Sequence, residues 1–513
     1  MKLKYAVVVA LLAAGGIGGL ALARAADAGL LAEQPTVVTW PAPEGVDPSP
    51  DYRLEVAGRP VFVWPARVRE EIDKPSGSIW THKPGCPAER AAFALFDFDG
   101  GVEVEVRPQR AFRTATVHPL SAGVQPEIRD GAIRFRMDRP RPLTVMLDGS
   151  DETPLHLLAD VPEKDVPREG DPGVVYFGPG IHDVETIELE SGQTLYLAGG
   201  ALLRAKVPAG AKWIRSKRTG LSHCDAGPVI RVEGVENVRI LGRGVVDGEL
   251  IPHPARSLLV VHKSKNVSIE GVMLRNSPAW NITLNDSDDI RVEGVKLISG
   301  RLNSDGINSV NARDVTIRRC FVRNHDDSIV VKTTSPEGEA ARITAEQCVI
   351  WNDWGYALGV TYETRAPIHD LVFRDCDVIF VRHHALGIHV VDSGTVRDVR
   401  FEDIRVEDLA RPAKRFGHPP KLIRVAVAAD MWGTDAERGH IRDVTFRNIR
   451  LTGTLAARSE ILGFDAAHGV ERVALENVSF LGRKVSTPEE MNLTVNDFAR
   501  EINIQDEPTE SGE

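Results

Sequence analysis

The chain has 513 residues and a formal net charge of -11, which excludes the basic footprint that a nucleic-acid-binding protein presents. Its 42% hydrophobic content fits a folded body that buries a sizeable core. The length allows two domains, or one elongated repeat body with an appendage.

Lys2 and Lys4 precede an apolar run from Tyr5 to Leu22, and Ala23-Arg24-Ala25 supplies a small-x-small cleavage site. Residues 1–25 read as a bacterial-type signal peptide, which predicts export to the periplasm or beyond; a membrane anchor is the alternative. Residues 26–50 read as a linker, Pro-rich from Glu33. From 51 to 167, short alternating runs such as YRLEVAG, VEVEVRP and AIRFRMD are separated by Gly, Pro and Asp, the pattern of a small β-sandwich. PEKDVPREGDPG, from Pro162 to Gly173, reads as the next linker.

From Val229 a repeat emerges. The segments VRILGR, VSIEGV, IRVEGV, VTIRRC, ITAEQC, LVFRDC, VRFEDI, VTFRNI and VALENV end at 243, 272, 295, 320, 348, 376, 404, 449 and 478. Units of that size without helical periodicity predict a parallel β-helix over 173–505, each coil covering its neighbour's apolar face. RPAKRFGHPP, in the one long step, predicts a polar loop, and 506–513 a disordered tail. Cys320, Cys348 and Cys376 share one position of three successive units, so their thiols should stack inward as small hydrophobes. Cys86 and Cys224 could pair in an oxidising compartment.

The same alignment predicts one stripe of side chains: Trp280, Asn303, Asp326, Asp327, Trp354, Tyr356, His383 and His384. With Asp305 in NSDGIN, these make the wall of a polysaccharide cleft, since aromatic faces stack on sugar rings and carboxylates supply an acid and a base. Crowded acids raise one another's pKa, which lets one keep its proton. Taken singly, Asp-rich turns are common, and Asp288-Asp289 reads as one. The histidines 383, 384 and 389 could equally be hydrogen-bonded cleft or surface residues. Calcium is an alternative use of the acids, but no ligand spacing demands it; no metal and no cofactor are expected.

Four stretches carry a family resemblance. LGRGVVDGEL looks like the "GxGxIDG" of family 28 glycoside hydrolases, the polygalacturonase group, LRNSPAWNITL like "NSPxW", NSDGIN like "NTDGxD" and HDDSIVVK like "GDDCIAIK". The resemblance implies a right-handed parallel β-helix, all-β with the sandwich before it, and a catalytic trio at Asp305, Asp326 and Asp327, with Lys332 also retained. It further implies inversion by single displacement, Asp326 protonating the leaving oxygen while Asp305 and Asp327 activate water. The pattern departs in two places: "GHG" is replaced by GYA around Tyr356, and the "RIK" that grips a galacturonate carboxylate by GIH at Gly387 to His389. The chain also resembles family 49, the dextranase group, which places a β-sandwich before the β-helix and follows its acid pair with a coil like IWNDWGYALGV.

Three functions from different classes remain: an inverting glycosidase of a polysaccharide, polygalacturonase-like or dextranase-like; a polysaccharide lyase with a Lys or Arg base beside calcium; and a non-catalytic carbohydrate-binding β-helix. Trp280, Asn303, Lys332, Trp354, Tyr356, His383 and His384 are the expected substrate contacts. The expected partner is a polysaccharide, with neither nucleic acid nor membrane after signal cleavage, and the protein is expected to be a monomer.

Overall fold

A computed structural model describes residues 36–69, 89–217, 220–409, 420–453 and 458–506. The expected signal peptide, Cys86, the RPAKRFGHPP loop up to Pro419 and nearly all of the expected disordered tail lie outside the described residues.

From Val174 onward, period-2 strands wind into coils whose edges pair in parallel, giving sheets of 12, 12 and 11 strands, with only the last pair of the second sheet antiparallel. The first runs from Val174–Phe177 to Ala499–Gln505, the second from Gly180–Val184 to Arg483–Lys484, and the third from Ile187–Leu189 to Leu493–Val495. This is a parallel β-helix. Every repeat unit of the sequence contributes one strand to the first sheet, and its inward residues form one continuous core. Phe373, Phe401 and Phe446 stack through that core at 4.9 and 4.7 Å. Each such pair contributes about 0.5–1.5 kcal/mol beyond its buried area. Cys320, Cys348 and Cys376 are fully buried as free thiols, and burial with its two thiol neighbours pushes Cys348 far above the usual thiol range.

Each coil turns with left-handed residues at fixed places. In the first sheet these include Asn237, Asn266, Asp289, Asp314, Asp370, Asp398 and Asp443, with φ between 52° and 62°. Asn and Asp tolerate this conformation because their short polar side chains bond locally; Asn266 donates to Asn237 at 2.6 Å. Asp288 and Asp289 therefore open the strand Asp288–Glu293, where a plain turn was expected.

Between Thr36 and Asp160 lie a six-stranded and a five-stranded sheet, mostly antiparallel, which share one core including Val56, Phe96, Val104, Ile133 and Leu157. A second cluster joins this part to the β-helix: Trp64, Phe93, Met146 and Leu158 meet Leu202, Met273, Phe321, Trp351 and Phe380 of the second sheet. Charged groups finish the seam. Arg243 donates to Asp97 at 2.9 Å, Arg382 to Asp151 at 2.5 Å, and Lys296 to Asp160. Arg243, in the slot where other coils carry Val, Ile or Cys, is thus turned outward to the preceding sheets.

Candidate active site

The strands Ile282–Asn285, Ile307–Val310, Ile329–Thr333, Tyr356–Thr364 and His384–Val390 are neighbours in the third sheet. Ile282 pairs with Ile307, Ile307 with Ile329 and Ile329 with Leu358. Counting back two residues puts Trp280, Asp305, Asp327 and Tyr356 at one position of successive rungs. Asp305, not Asn303, thus fills the slot beside Asp327, because the loop after Ser299 carries extra residues that a sequence alignment shifts by two.

Buried asparagines fix the acid-bearing turns. The Asn281 amide donates to the Asp305 carbonyl at 2.8 Å, Asn324 to the Asp327 carbonyl at 2.7 Å, and Asn352 to the Asp326 carbonyl at 2.7 Å. Gly355 lets the rungs close: its φ is +79°, and a Cβ there would meet the Asp327 nitrogen at 2.6 Å. A side chain at Gly355 would push the acids apart.

Asp305, Asp326 and Asp327 converge, one oxygen of each within 4.8 Å of the others. Asp327 is fully buried and accepts from Lys332 Nζ at 3.2 Å, Thr361 Oγ1 at 2.7 Å and the Tyr356 N–H at 3.0 Å. Asp305 accepts from Asn308 at 3.1 Å and sits 3.8 Å from Lys332, while its other oxygen, also buried, has no hydrogen-bond partner among the described residues. Burial, then the charge of Asp326, pushes Asp305 well above the usual carboxylate range. Burial, then Asp327, raises Asp326 to about 7, against the pull of Lys332 and of the backbone N–H groups of Asp327 and Asn303. These raised acids interact, so their protons come off as a set.

Lys332 is 3% exposed and also donates to Glu363 at 3.2 Å. Burial alone would strip its proton, but Glu363, Asp327 and the other acids outweigh burial and hold it charged. Its ammonium lies 5.3 Å from the Trp280 ring centre and 5.7 Å from that of Tyr362. Lys332 thus offsets part of the charge of these carboxylates, whose oxygens are also close enough together to hold a metal ion.

A cavity of about 430 Å³ opens over the trio. Trp280, Asn303, Lys332 and Trp354 line it, as do Tyr362, Glu363 and Trp432, which the sequence did not single out. Tyr362 and Glu363 extend a strand past its repeat, and Trp432 arrives from a distant loop, so no spacing marked them. Tyr356, His383 and His384 are not among the lining residues. His383 stacks on Trp354 at 4.2 Å, while Tyr356 and His384 are buried beneath this wall. Gly387 gives the Tyr356 ring its room, since a Cβ there would stand 2.5 Å from the ring, and Arg424 of the next rung donates to the Tyr356 hydroxyl at 2.9 Å. Burial and the nearby cations keep His384 and His389 neutral, well below the usual imidazole range.

The site is thus three converging carboxylates in a cleft of a parallel β-helix. The model of glycosyl hydrolases family 28 matches residues 217–496, more than half of the chain, and the chain belongs to that family. An endo-polygalacturonase of Pectobacterium carotovorum subsp. carotovorum is 22% identical over 264 residues, 44% of this chain and 62% of that protein. A probable polygalacturonase of Vitis vinifera is 27% identical over 149 residues, 29% of this chain and 26% of its own. The chain thus spans less than two thirds of either relative. Among solved structures, Dex49A of Penicillium minioluteum superposes with a TM-score of 0.63 at 14% identity, covering 91% of this chain and 96% of that one. A Thermotoga maritima exopolygalacturonase gives 0.50 at 17% identity, covering 65% and 83%. Both share the fold.

Proposed function

We propose that the chain is an exported glycosidase that hydrolyses O-glycosidic bonds of a polysaccharide, with Asp326 as general acid and Asp305 and Asp327 activating water. The observation that carries this reading is the convergence of three carboxylates on one another, two of them paired with Lys332, at the floor of an aromatic-lined cavity. An acid raised to about 7 keeps its proton near neutrality and can give it to a leaving oxygen. Oxygens within 4.8 Å of one another can share one water, because two hydrogen bonds of about 2.7 Å span about 5.4 Å. That separation is shorter than the about 6.5–9.5 Å between the two carboxyls of most inverting sites. Inversion is therefore proposed from the family resemblance, and the anomer first released, read by proton NMR, decides it.

A galacturonan is the first substrate to test, since the sequence relatives carry that name. An α-glucan is the second, because Gly387 and His389 stand where the family carries its carboxylate-gripping pair. The acids around Lys332 hold it charged, which weighs against that lysine as the base of a lyase. The test is reducing-sugar release from galacturonans, α-glucans and sulfated galactans by wild type, Asp326→Asn and Asp327→Asn. Release that disappears in folded variants is expected. Equal binding by all three proteins without release would favour the binding-module alternative.

A further inference from the structure

We infer that the cavity is a pocket with a closed end, and that the protein removes sugars from chain termini instead of cutting within the chain; this rests on the glycosidase reading above. Internal cutting requires a groove that lets the polymer run out past both ends of the site. The register of the third sheet gives the length available. Ser257, Trp280, Asp305 and Asp327 hold one position of four successive rungs, so Ser257 lies about 14 Å from Asp327 at about 4.8 Å per rung. That is the length of a short oligosaccharide.

At that end the chain leaves the coil to form an antiparallel hairpin, Trp213–Arg215 with Ser222–Cys224. Leu221 and His223 of this hairpin line the same cavity as the acids. The hairpin base is fixed: the Cys224 N–H donates to the Ala255 carbonyl at 2.9 Å, and the Lys212 N–H to the Asp225 carboxylate at 2.9 Å. Arg256, 3% exposed, donates to the carbonyls of Glu185, Lys206, Gly227 and Pro228 and to the Thr186 hydroxyl. With its guanidinium so engaged, Arg256 braces the wall. His223 is the exposed polar side chain on the wall that can meet the hydroxyls of a terminal ring.

The opposite side is anchored as well. Trp432 belongs to a loop held by Asp392, which accepts the Thr434 and Asp435 N–H groups at 2.5 and 2.9 Å, and by the Arg365 to Asp435 pair at 2.9 Å. The volume of about 430 Å³ falls in the about 300–1,000 Å³ range of clefts and cavities that take a small ligand.

The test follows viscosity and product size together on whichever polymer the wild type cuts. Mono- or disaccharides from the first minutes, with a slow fall in viscosity, are expected. Replacing residues 214–222 by a Gly-Ser turn, or the milder pair Leu221→Gly and His223→Ala, should shift early products to longer oligosaccharides several-fold. Long oligosaccharides and a steep viscosity drop from the wild type would overturn the inference and leave the glycosidase reading standing. Unchanged products from both folded, active variants would overturn the hairpin's role. No release from any polymer or short oligosaccharide would overturn the glycosidase reading, and the inference with it.

Discussion

Two faces of the β-helix handle buried charge in opposite ways. On the face against the N-terminal sheets the charges are matched: Arg243 has Asp97, Lys296 has Asp160, Arg382 has Asp151, and the fully buried Arg323 has Asp353 at 3.3 Å and His156 at 3.1 Å. On the cleft face Asp305 and Asp327 share Lys332, which Glu363 also claims, and Asp326 feels its charge. Paired charges fix one docked arrangement, although burial still raises Asp97 to about 7 beside Arg243. In the cleft, where carboxylates are in surplus, it is both burial and neighbouring carboxylates that raise Asp305 and Asp326.

The largest effect should come from the surplus side. Asp326→Asn or Asp327→Asn should cut kcat about 10²–10⁴-fold while circular dichroism stays that of the wild type; a loss below tenfold would remove the trio from catalysis. Breaking the matched side should cost stability and not activity. Arg323→Met leaves Asp353 buried without that cation and should destabilise by about 3–5 kcal/mol, seen as a lower denaturation midpoint with kcat per folded molecule unchanged.

The third expectation is a pH dependence of the surplus itself. Asp326 is raised to about 7 in the folded state, above its unfolded value near 3.8. Between those values the folded protein binds the extra proton, so stability falls as pH rises from about 4 to about 7, and the loss is complete above 7. Asp326→Asn removes this loss. The variant should match the wild type near pH 4 and melt higher at pH 8, by up to about 4 kcal/mol; an equal difference at both pH values would contradict the shift. Smallest should be Arg342→Ala, which removes an exposed pair with Asp314 at 2.7 Å and should leave the midpoint of a urea titration nearly unchanged.

Much of this contrast was legible in the sequence, because a β-helix repeats its pattern rung by rung. The coil spacing, the stacked thiols and the three acids all follow from it. What stayed hidden depended on irregularity. The extra residues after Ser299 moved Asp305 into register with Asp327, which no fixed offset reveals. Tyr356 and His384 sit in the acid column, yet they are buried because Gly387 leaves a hollow that the Tyr356 ring fills. Trp432 enters the cavity from a loop more than 100 residues past the acids. The pairing of Arg243, Lys296 and Arg382 with the N-terminal sheets was equally hidden, since nothing in a strand pattern says which surface a second module will cover.

The most direct test is the pH profile of kcat/KM for wild type and Asp326→Asn, on a natural polymer and on an activated aryl glycoside of the same sugar. A carboxyl near 7 that protonates the leaving oxygen predicts a falling limb centred near pH 7 on the polymer. Asp326→Asn should lose the polymer activity and keep most of its rate on the aryl glycoside, whose leaving group needs no proton. A limb that persists in the variant, or equal loss on both substrates, would contradict Asp326 as the proton donor.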